Sequence, residues 1–275
     1  MKMPQEEHGD GQPRAGLCET RIRSGLEALG RRIPLRFFER TDSTNLRAEE
    51  MAASGMLSEG PFAVVAASQS AGRGRFGRVW RDSPGRSVCL TVAFPAGGAR
   101  GLGRFGVLAG VRICSALSAC SGARIMLKWP NDLYFGGRKM GGMIACAHSS
   151  GGSMSSVFLG LGFNFSRMPH APGEPEPACL EEAAALPVEI NSACSVAIDA
   201  VCGAFEELGG DVDLGEEFRP FDFLRGKRIG VDDFSKVAFG VADGVDCDGA
   251  LRLAGPDGEV SLWRAGEATI AKGGM

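Results

Sequence analysis

The pattern of apolar and polar positions along the chain predicts two strands followed by a long helix. Residues 62–67 and 87–94 are rich in β-branched and aromatic side chains, which favours strands. Residues 105–121 are mostly apolar and end before Gly122, which is typical of a buried helix with a glycine stop. A core large enough for a globular fold is therefore expected around these segments.

Two further helices are predicted on either side of this region. An Asp-Ser-Thr triplet at 42–44 precedes a run of helix formers, which predicts a short helix over 45–54 with Ser43 or Thr44 as its N-cap. Between residues 197 and 208 apolar side chains recur at helical spacing on one face. We expect this last helix to close the main domain.

The middle of the chain predicts antiparallel hairpins in a mixed or mainly antiparallel sheet. Short glycine-rich turns at 136–137 and 151–152 separate the apolar runs, and such turns favour hairpin connections. The segment 168–187 that follows is rich in Pro and Glu and is expected to be irregular. The predicted strands are 124–129, 132–135, 139–147 and 157–165.

The pattern changes again from residue 226 onward, where short alternating runs are separated by Asp-Gly turns. Five such strands within so few residues predict a small β-barrel that must dock on a larger domain to be stable. The predicted strands are 228–231, 236–241, 250–253, 259–263 and 267–270. The chain is therefore expected to be an α+β protein with a disordered tail over 1–20, a main domain over 21–222 and a C-terminal barrel over 223–275.

Composition excludes several classes of protein. The 275 residues are 44% hydrophobic and 23% charged, which is ordinary for a soluble globular chain and excludes a disordered or collagen-like one. No apolar run approaches the roughly 20 residues that span a bilayer, and the polar N-terminus lacks the apolar core of a secretion signal. Nine cysteines without a CxxC pair indicate reduced thiols, and three histidines argue against structural zinc. A cytoplasmic protein without membrane association is expected.

Charge is distributed unevenly along the chain. The net charge is −3 overall, but residues 1–167 carry +10, residues 168–224 carry −12 and residues 225–275 carry −1. A basic first part indicates an anionic ligand or partner, whereas the acidic middle segment argues against a general nucleic-acid coat.

The loop between the first two predicted strands carries the first candidate chemistry. Residues 69–81, termed the arginine loop below, contain Gly72, Gly74 and Gly77 in a GxGxxG pattern. A dinucleotide-binding fold would need a helix directly after this pattern and an acidic residue about 20 positions on, and a kinase would need a strand lysine, HRD and DFG; none of these is present. Arginines on a glycine-rich backbone suit a bound phosphate group, although a solvated loop or a nonspecific single-strand contact would use the same residues.

A second cluster lies where two predicted strands meet. The sequence Lys128-Trp-Pro-Asn-Asp132 is followed by Lys139 and then by Gly141 and Gly142. The two lysines could neutralise phosphate oxygens, while Asp132 could hold Mg²⁺ or orient a lysine. A plain turn with solvated lysines is the alternative for this cluster considered alone.

Taken together, the motifs resemble those of the biotin protein ligases. Four parts stand in the expected order: Asp42-Ser-Thr-Asn45; Gln69-x-Ala-Gly-Arg-Gly-Arg-x-Gly-Arg-x-Trp80; Lys128-Trp-Pro-Asn-Asp132 with Lys139 and Gly142; and Gly160-x-Gly-x-Asn164. The resemblance covers roughly residues 21–270 and implies a catalytic domain like that of class II aminoacyl-tRNA synthetases with a C-terminal SH3-like barrel. It also implies activation of biotin by ATP and Mg²⁺ as biotinoyl-5′-AMP, and transfer to a lysine of a biotin carboxyl carrier protein.

The resemblance also implies roles for individual residues. Lys139, Arg73 and Arg75 would be catalytic, with Lys139 stabilising negative charge at the carboxylate and α-phosphate and Arg75 helping to retain the intermediate. Asp132 is the candidate for binding Mg²⁺, and Gly142, Gly162 and Asn164 are further candidates for the site. Biotin would be bound by Ser43, Thr44, Asn45, Gln69, Arg73, Gly74, Arg75 and Lys139, and the ATP and Mg²⁺ side would be shaped by Trp80, Lys128, Asn131 and Asp132.

Two departures from the family pattern and two rival functions accompany this resemblance. About 40 residues precede Thr41, too few for the helix-turn-helix that many members use to repress genes, so no operator binding is expected of this monofunctional type. Cys146 stands where the family often has a carboxylate.

A lipoate or octanoate ligase of the same superfamily and a nucleic-acid-binding module are the rivals, and both fit the motifs less well. The expected partner is the carrier subunit of acetyl-CoA carboxylase or of another biotin-dependent carboxylase, and the ligase is expected to be a monomer or a weak homodimer.

Overall fold

The computed structural model describes residues 16–96, 101–150 and 153–271. Most of the predicted tail, residues 1–15, lies outside this part of the chain. The tail was predicted to extend to residue 20, but the first helix begins at Glu19, and the Cys18 amide donates a hydrogen bond of 2.7 Å to Asn191 Oδ1. The helices are α1 (Glu19–Ala28), α2 (Thr44–Ala53), α3 (Leu102–Ser121), α4 (Leu180–Ala183), α5 (Ile190–Glu207) and α6 (Leu214–Phe218).

The described residues form a seven-stranded sheet with the strand order β1-β2-β3-β7-β6-β5-β4. The pair β1 and β2 is parallel and the other neighbours are antiparallel, so the prediction of a mixed sheet is confirmed. The strands are β1 (Leu35–Phe38), β2 (Phe62–Ala66), β3 (Ser87–Pro95), β4 (Met126–Lys128), β5 (Asp132–Phe135), β6 (Arg138–Ser150) and β7 (Ser153–Asn164).

Strand β2 is buried along its whole length because helices cover both faces of the sheet there. Ala63 and Val65 belong to the main core, whereas Phe62 and Val64 pack in a smaller cluster with Ala48 of α2. A strand buried on both faces explains why the sequence reads as a continuous apolar run.

Helices α3 and α5 pack on each other and on the main face of the sheet. Helix α3 is long and apolar enough by length and composition to cross a membrane, but half of that window is buried inside this fold. At Gly110 the helix comes so close to the sheet that an added Cβ would lie 2.6 Å from Leu127 Cδ2. Its apolar character is thus explained by its place in the core, as expected for residues 105–121.

A second sheet of five strands follows, with the order β11-β10-β9-β8-β12. It corresponds to the predicted C-terminal β domain, and its strands lie within a few residues of the predicted ones. The boundary proposed after residue 222 stays a prediction. The strands are β8 (Arg228–Asp232), β9 (Val237–Val245), β10 (Leu251–Ala254), β11 (Val260–Trp263) and β12 (Glu267–Ile270).

One buried side chain ties the two sheets together. Trp129 follows β4 and is almost completely buried, and its Nε1 donates a hydrogen bond of 3.0 Å to the carbonyl oxygen of Gly249 in the C-terminal region. Gly249 has φ of +86° and packs against Leu214 and Val107, so this turn lies directly on the main core. The C-terminal sheet is thereby held at the strand junction that carries Lys128 and Asp132.

Replacing Trp129 with Phe should lower stability because the buried Gly249 carbonyl loses its donor. Leaving such a group unpaired costs about 1–3 kcal/mol. We expect a lower urea midpoint for Trp129→Phe than for Trp263→Phe, since Trp263 Nε1 bonds only to Ser261 within its own strand. Equal midpoints for the two variants would contradict this account of how the sheets are joined.

Candidate active site

A cavity of about 260 Å³ lies between the centre of the seven-stranded sheet, the arginine loop and strand β12. It brings together residues from the four separate motifs of the sequence. Of the predicted site residues, the cavity is lined by Ser43, Thr44, Asn45, Gln69, Arg73, Gly74, Arg75, Trp80, Lys128, Asn131, Asp132, Lys139, Gly142 and Gly162.

Asn164 is the predicted site residue that does not line this cavity. Its Nδ2 donates a hydrogen bond of 3.0 Å to the carbonyl oxygen of Ala178, and the side chain is buried. Asn164 lies two residues beyond Gly162 on the same face of β7, past the end of the cavity. In this structure it anchors the irregular segment that follows the sheet.

The first turn of α2 forms one wall of the cavity through a chain of hydrogen bonds. Gln69 Oε1 accepts from the Thr44 amide at 2.7 Å and from the Thr44 hydroxyl at 3.1 Å. Thr91, buried in β3, donates to Asn45 Oδ1 at 2.6 Å and lies 2.9 Å from Thr44 Oγ1. These contacts fix the orientation of the Asn45 and Gln69 amide groups before any ligand enters.

Helix α2 is capped differently from the prediction. Ser43 occupies the N-cap position, but its side chain makes no capping hydrogen bond, and Thr44 is already helical. The Gln69 side chain, twenty-five positions away, provides the acceptor instead. The Ser43 hydroxyl therefore lines the cavity without being used by the helix.

The arginine loop folds back on itself and is held over the cavity. The Gly74 amide donates to the Arg78 carbonyl oxygen at 2.7 Å, and the Trp80 amide donates to the Gly72 carbonyl oxygen at 2.9 Å. Arg75 reaches across the cavity, with Nη1 2.7 Å from Asn131 Oδ1. No carboxylate among the described residues pairs with the Arg73 guanidinium, so Arg73 presents an unneutralised cation at the cavity.

The Lys128–Asp132 segment and the following Lys139 supply two lysines at the opposite wall. The turn between β4 and β5 contains a cis peptide bond before Pro130. Lys139 Nζ lies 2.6 Å from Asp132 Oδ1, so in this structure the carboxylate orients the lysine. Burial lowers the pKa of Lys128, and the neighbouring Lys139 charge contributes in the same direction.

The cavity is electropositive as a result. Burial lowers the pKa of Arg75 as well, which is the expected response of a cation held away from water. Two carboxylates line the described part of the cavity, Asp132 and Glu267, and each already pairs with a cation. A ligand carrying negative charge would relieve this excess of positive charge.

The two glycines at the end of β7 leave room for side chains of the cavity. A Cβ added at Gly162 would lie 2.7 Å from Trp80 Cε2, and one added at Gly160 would overlap the Asn45 amide. The Trp80 ring thus packs closely against the backbone of β7 at Gly162. At both glycines the space next to the strand is taken by side chains of the same protein.

Sequence reasoning missed Thr91 and Glu267. Thr91 is a hydroxyl residue in the interior of an otherwise apolar stretch, between Leu90 and Val92, and this was an available signal for a buried polar contact. Glu267 lies in the C-terminal sheet and lines the cavity through β12. No local pattern distinguishes it from other charged residues of that sheet.

A metal ion would have few protein ligands here. Within the described residues no group of three or more His, Cys, Asp or Glu side chains is arranged to hold a metal. Mg²⁺ usually keeps several waters and binds through one or two carboxylates together with substrate phosphates. The residues therefore fit a cation that arrives with a nucleotide, and Asp132 is the carboxylate nearest to the lysines that would contact the phosphates.

Comparison with known proteins identifies the family of the chain and agrees with its fold. Residues 37–164 match the model of the biotin/lipoate A/B protein ligase family. The chain is 31% identical over 234 residues to the biotin–[acetyl-CoA-carboxylase] ligase of Paracoccus denitrificans, covering 80% of this chain and 93% of that protein. It is 27% identical over 260 residues to the bifunctional ligase/repressor BirA of Bacillus subtilis, covering 90% and 78% of the two chains.

A solved structure shows the same fold. The biotin protein ligase of Aquifex aeolicus, crystallised in complex with biotin and ATP, matches with a TM-score of 0.72 over 87% of this chain and 99% of that chain, at 19% identity. The protein has an α+β ligase fold with a charged cavity, and it belongs to the biotin protein ligase family.

The lowered pKa of Lys128 predicts how anion binding depends on pH. Its ammonium group should lose its proton at a lower pH than an ordinary lysine, so affinity for inorganic pyrophosphate should fall as pH rises through that pKa. Lys128→Arg should keep its affinity over the same alkaline range because a guanidinium stays protonated. Titration calorimetry on both proteins measures this, with Lys236→Arg on the C-terminal sheet as the control. A parallel fall in wild type and Lys128→Arg would contradict the role of Lys128.

Proposed function

We propose that this protein activates biotin with ATP as biotinoyl-5′-AMP and transfers the biotinoyl group to a lysine of a biotin carboxyl carrier protein. The observation that carries this proposal is the cavity itself, which gathers arginines and lysines over a hydrogen-bonding wall, while the carboxylates of its described lining are already paired with cations. Family membership and the relatives named above support the same reaction.

The first step needs charge stabilisation and positioning. A biotin carboxylate oxygen attacks the α-phosphorus of ATP, a new C–O–P linkage forms, and the bond to pyrophosphate breaks. Lys139 and Arg73 would stabilise the negative charge that builds up on the phosphoryl oxygens and on the departing pyrophosphate. Mg²⁺ would neutralise phosphate oxygens in this step when it is bound with the nucleotide.

The second step uses the amine of the carrier as nucleophile. A neutral carrier lysine attacks the acyl carbon, an amide forms, AMP departs with the bridging oxygen, and the amine loses a proton to solvent or to AMP. The protein has to hold the acyl group in place and keep water away until the amine arrives. Arg75 is suited to this task because it spans the cavity to Asn131.

The α2 wall is assigned to biotin. Asn45 and Gln69 present amide groups already oriented by Thr91 and Thr44, and such groups match the urea-like ring of biotin. The ATP side is assigned to Trp80, Lys128, Asn131 and Asp132. Arg73, Gly74, Arg75 and Lys139 would lie between the two halves, at the reacting atoms.

Cellular setting and assembly are also part of the proposal. A cytoplasmic location fits nine cysteines that are all free thiols in this structure. A monomer or a weak homodimer is proposed as the working assembly.

The direct test is transfer of labelled biotin to a carrier domain with ATP and Mg²⁺. We expect biotin to be transferred in preference to octanoate and lipoate. Lys139→Ala and Arg73→Ala should each reduce the rate roughly a hundredfold or more, as expected for loss of a group that stabilises developing charge. Arg81→Ala is the matched control, because Arg81 belongs to the same loop but pairs with Glu174 outside the cavity. Preferential transfer of lipoate would favour the related lipoate ligases, and no adenylate from any acid would overturn the proposal.

A second test probes the biotin wall without removing a polar group. Gly160→Ala should push the Asn45 amide from its place and weaken biotin binding, while ATP binding stays close to wild type. Gly106→Ala on α3 is the control, since an added Cβ there makes ordinary contact at 3.8 Å. Biotin affinity measured by calorimetry checks this, and unchanged affinity in Gly160→Ala would place biotin elsewhere.

A further inference from the structure

The arginine loop is tied to the C-terminal sheet by an ion pair. Arg78 Nη1 and Nη2 lie 2.7 Å and 2.5 Å from the two carboxylate oxygens of Glu267. Beside this pair, Arg75 Nη2 donates a hydrogen bond of 3.1 Å to the carbonyl oxygen of Gly266. Two-pronged arginine–carboxylate pairs fix geometry as well as charge. The loop and the start of β12 are thus connected by three hydrogen bonds between segments far apart in sequence.

An aromatic contact continues the same junction. Phe76 at the tip of the loop and Phe234 between β8 and β9 pack edge to face, with ring centroids 4.5 Å apart. Among the described non-glycine residues, these two are the ones with positive φ, at 57° and 68°. Backbones in this region persist only where their surroundings hold them. The contact therefore joins two strained turns that each present an exposed ring to the other.

Glu267 is an unexpected residue for a cavity that receives phosphates. It lines the cavity, and pairing with Arg78 holds the pKa of its carboxyl below the usual range, so it stays ionised. Because the Glu267 carboxylate pairs with Arg78, the Arg78 guanidinium is not available to an anionic ligand. Its presence is explained if its task is to hold the loop in place.

We propose that Glu267 is a positioning residue, which acts through Arg78 and together with Phe234 to hold the arginine loop closed over the cavity and so prolongs retention of the acyl-adenylate. This inference rests on the proposed function. The C-terminal sheet would thus help to retain the reactive intermediate, because it holds the arginine loop of the catalytic domain in place. Glu267 itself need not touch the substrate.

The experiment compares Glu267→Gln with wild type after adenylate has been formed from labelled biotin and ATP. The remaining ATP is destroyed, and the label that stays with the protein is followed over time by rapid gel filtration. We expect label to be lost several-fold faster from Glu267→Gln and from Phe234→Ala. The double variant Arg78→Glu with Glu267→Arg should recover much of the retention, because the pair is restored with reversed charge. Glu174→Gln, which releases Arg81 in the same loop, should behave as wild type.

Trypsin cleavage of the ligand-free proteins gives a second readout that does not depend on adenylate formation. Loss of the Arg78–Glu267 ion pair should speed cleavage within the arginine loop in Glu267→Gln. The cleavage rate of Glu174→Gln should equal that of wild type. Equal cleavage rates and equal retention of label in Glu267→Gln and wild type would overturn the inference. Unchanged retention together with a lower KM for ATP in Glu267→Gln would also overturn it, because this result would mean that Glu267 competes with phosphate for Arg78. Failure of wild type to form any adenylate would contradict the proposed function. The cleavage rates would still decide whether the Arg78–Glu267 ion pair holds the arginine loop in place.

Discussion

Confinement of positive charge in one cavity is the constraint on which the site depends. Arg73, Arg75, Lys128 and Lys139 converge there, while the two carboxylates of the described lining are already paired. The lowered pKa values of Lys128 and Arg75 show that this arrangement works against the charged forms in the absence of a ligand. Favourable contacts elsewhere in the fold offset the free-energy cost of burying these cations. Binding of an anionic ligand would stabilise their charged forms.

This constraint explains why the cavity is built from several rigid pieces. The α2 wall and the β4–β5 turn contribute side chains held by hydrogen bonds, β7 contributes glycine backbone on which Asn45 and Trp80 pack, and the loop closes the remaining side. Nearby thiols are unsuited to act as nucleophiles, since burial raises the pKa of Cys89 to about 12 and that of Cys146 to about 11. In the proposed reaction both nucleophiles come from the substrates, so the protein would contribute position and electrostatic stabilisation.

Much of this arrangement could be predicted from sequence because its signals are local. Long apolar runs predicted the central strands and α3, and clustered glycines, arginines and lysines marked the cavity residues. Strand β1 was missed because it is only four residues long and contains Arg36. Glu267 was missed because its partner Arg78 is 189 positions away, so the pairing exists only once the two sheets are joined. Asn164 was included on its spacing after the glycines, but its amide serves the following segment.

Identification of the intermediate tests the central claim most directly. The enzyme would be mixed with labelled biotin, ATP and Mg²⁺ without carrier, quenched in acid, and separated into protein and small molecules for mass spectrometry. The account predicts that the label is recovered as biotinoyl-AMP and that the protein keeps its unmodified mass. Label bound covalently to a side chain of the cavity, with no biotinoyl-AMP recovered, would show that this side chain acts as nucleophile, and it would contradict a mechanism based on positioning and charge alone.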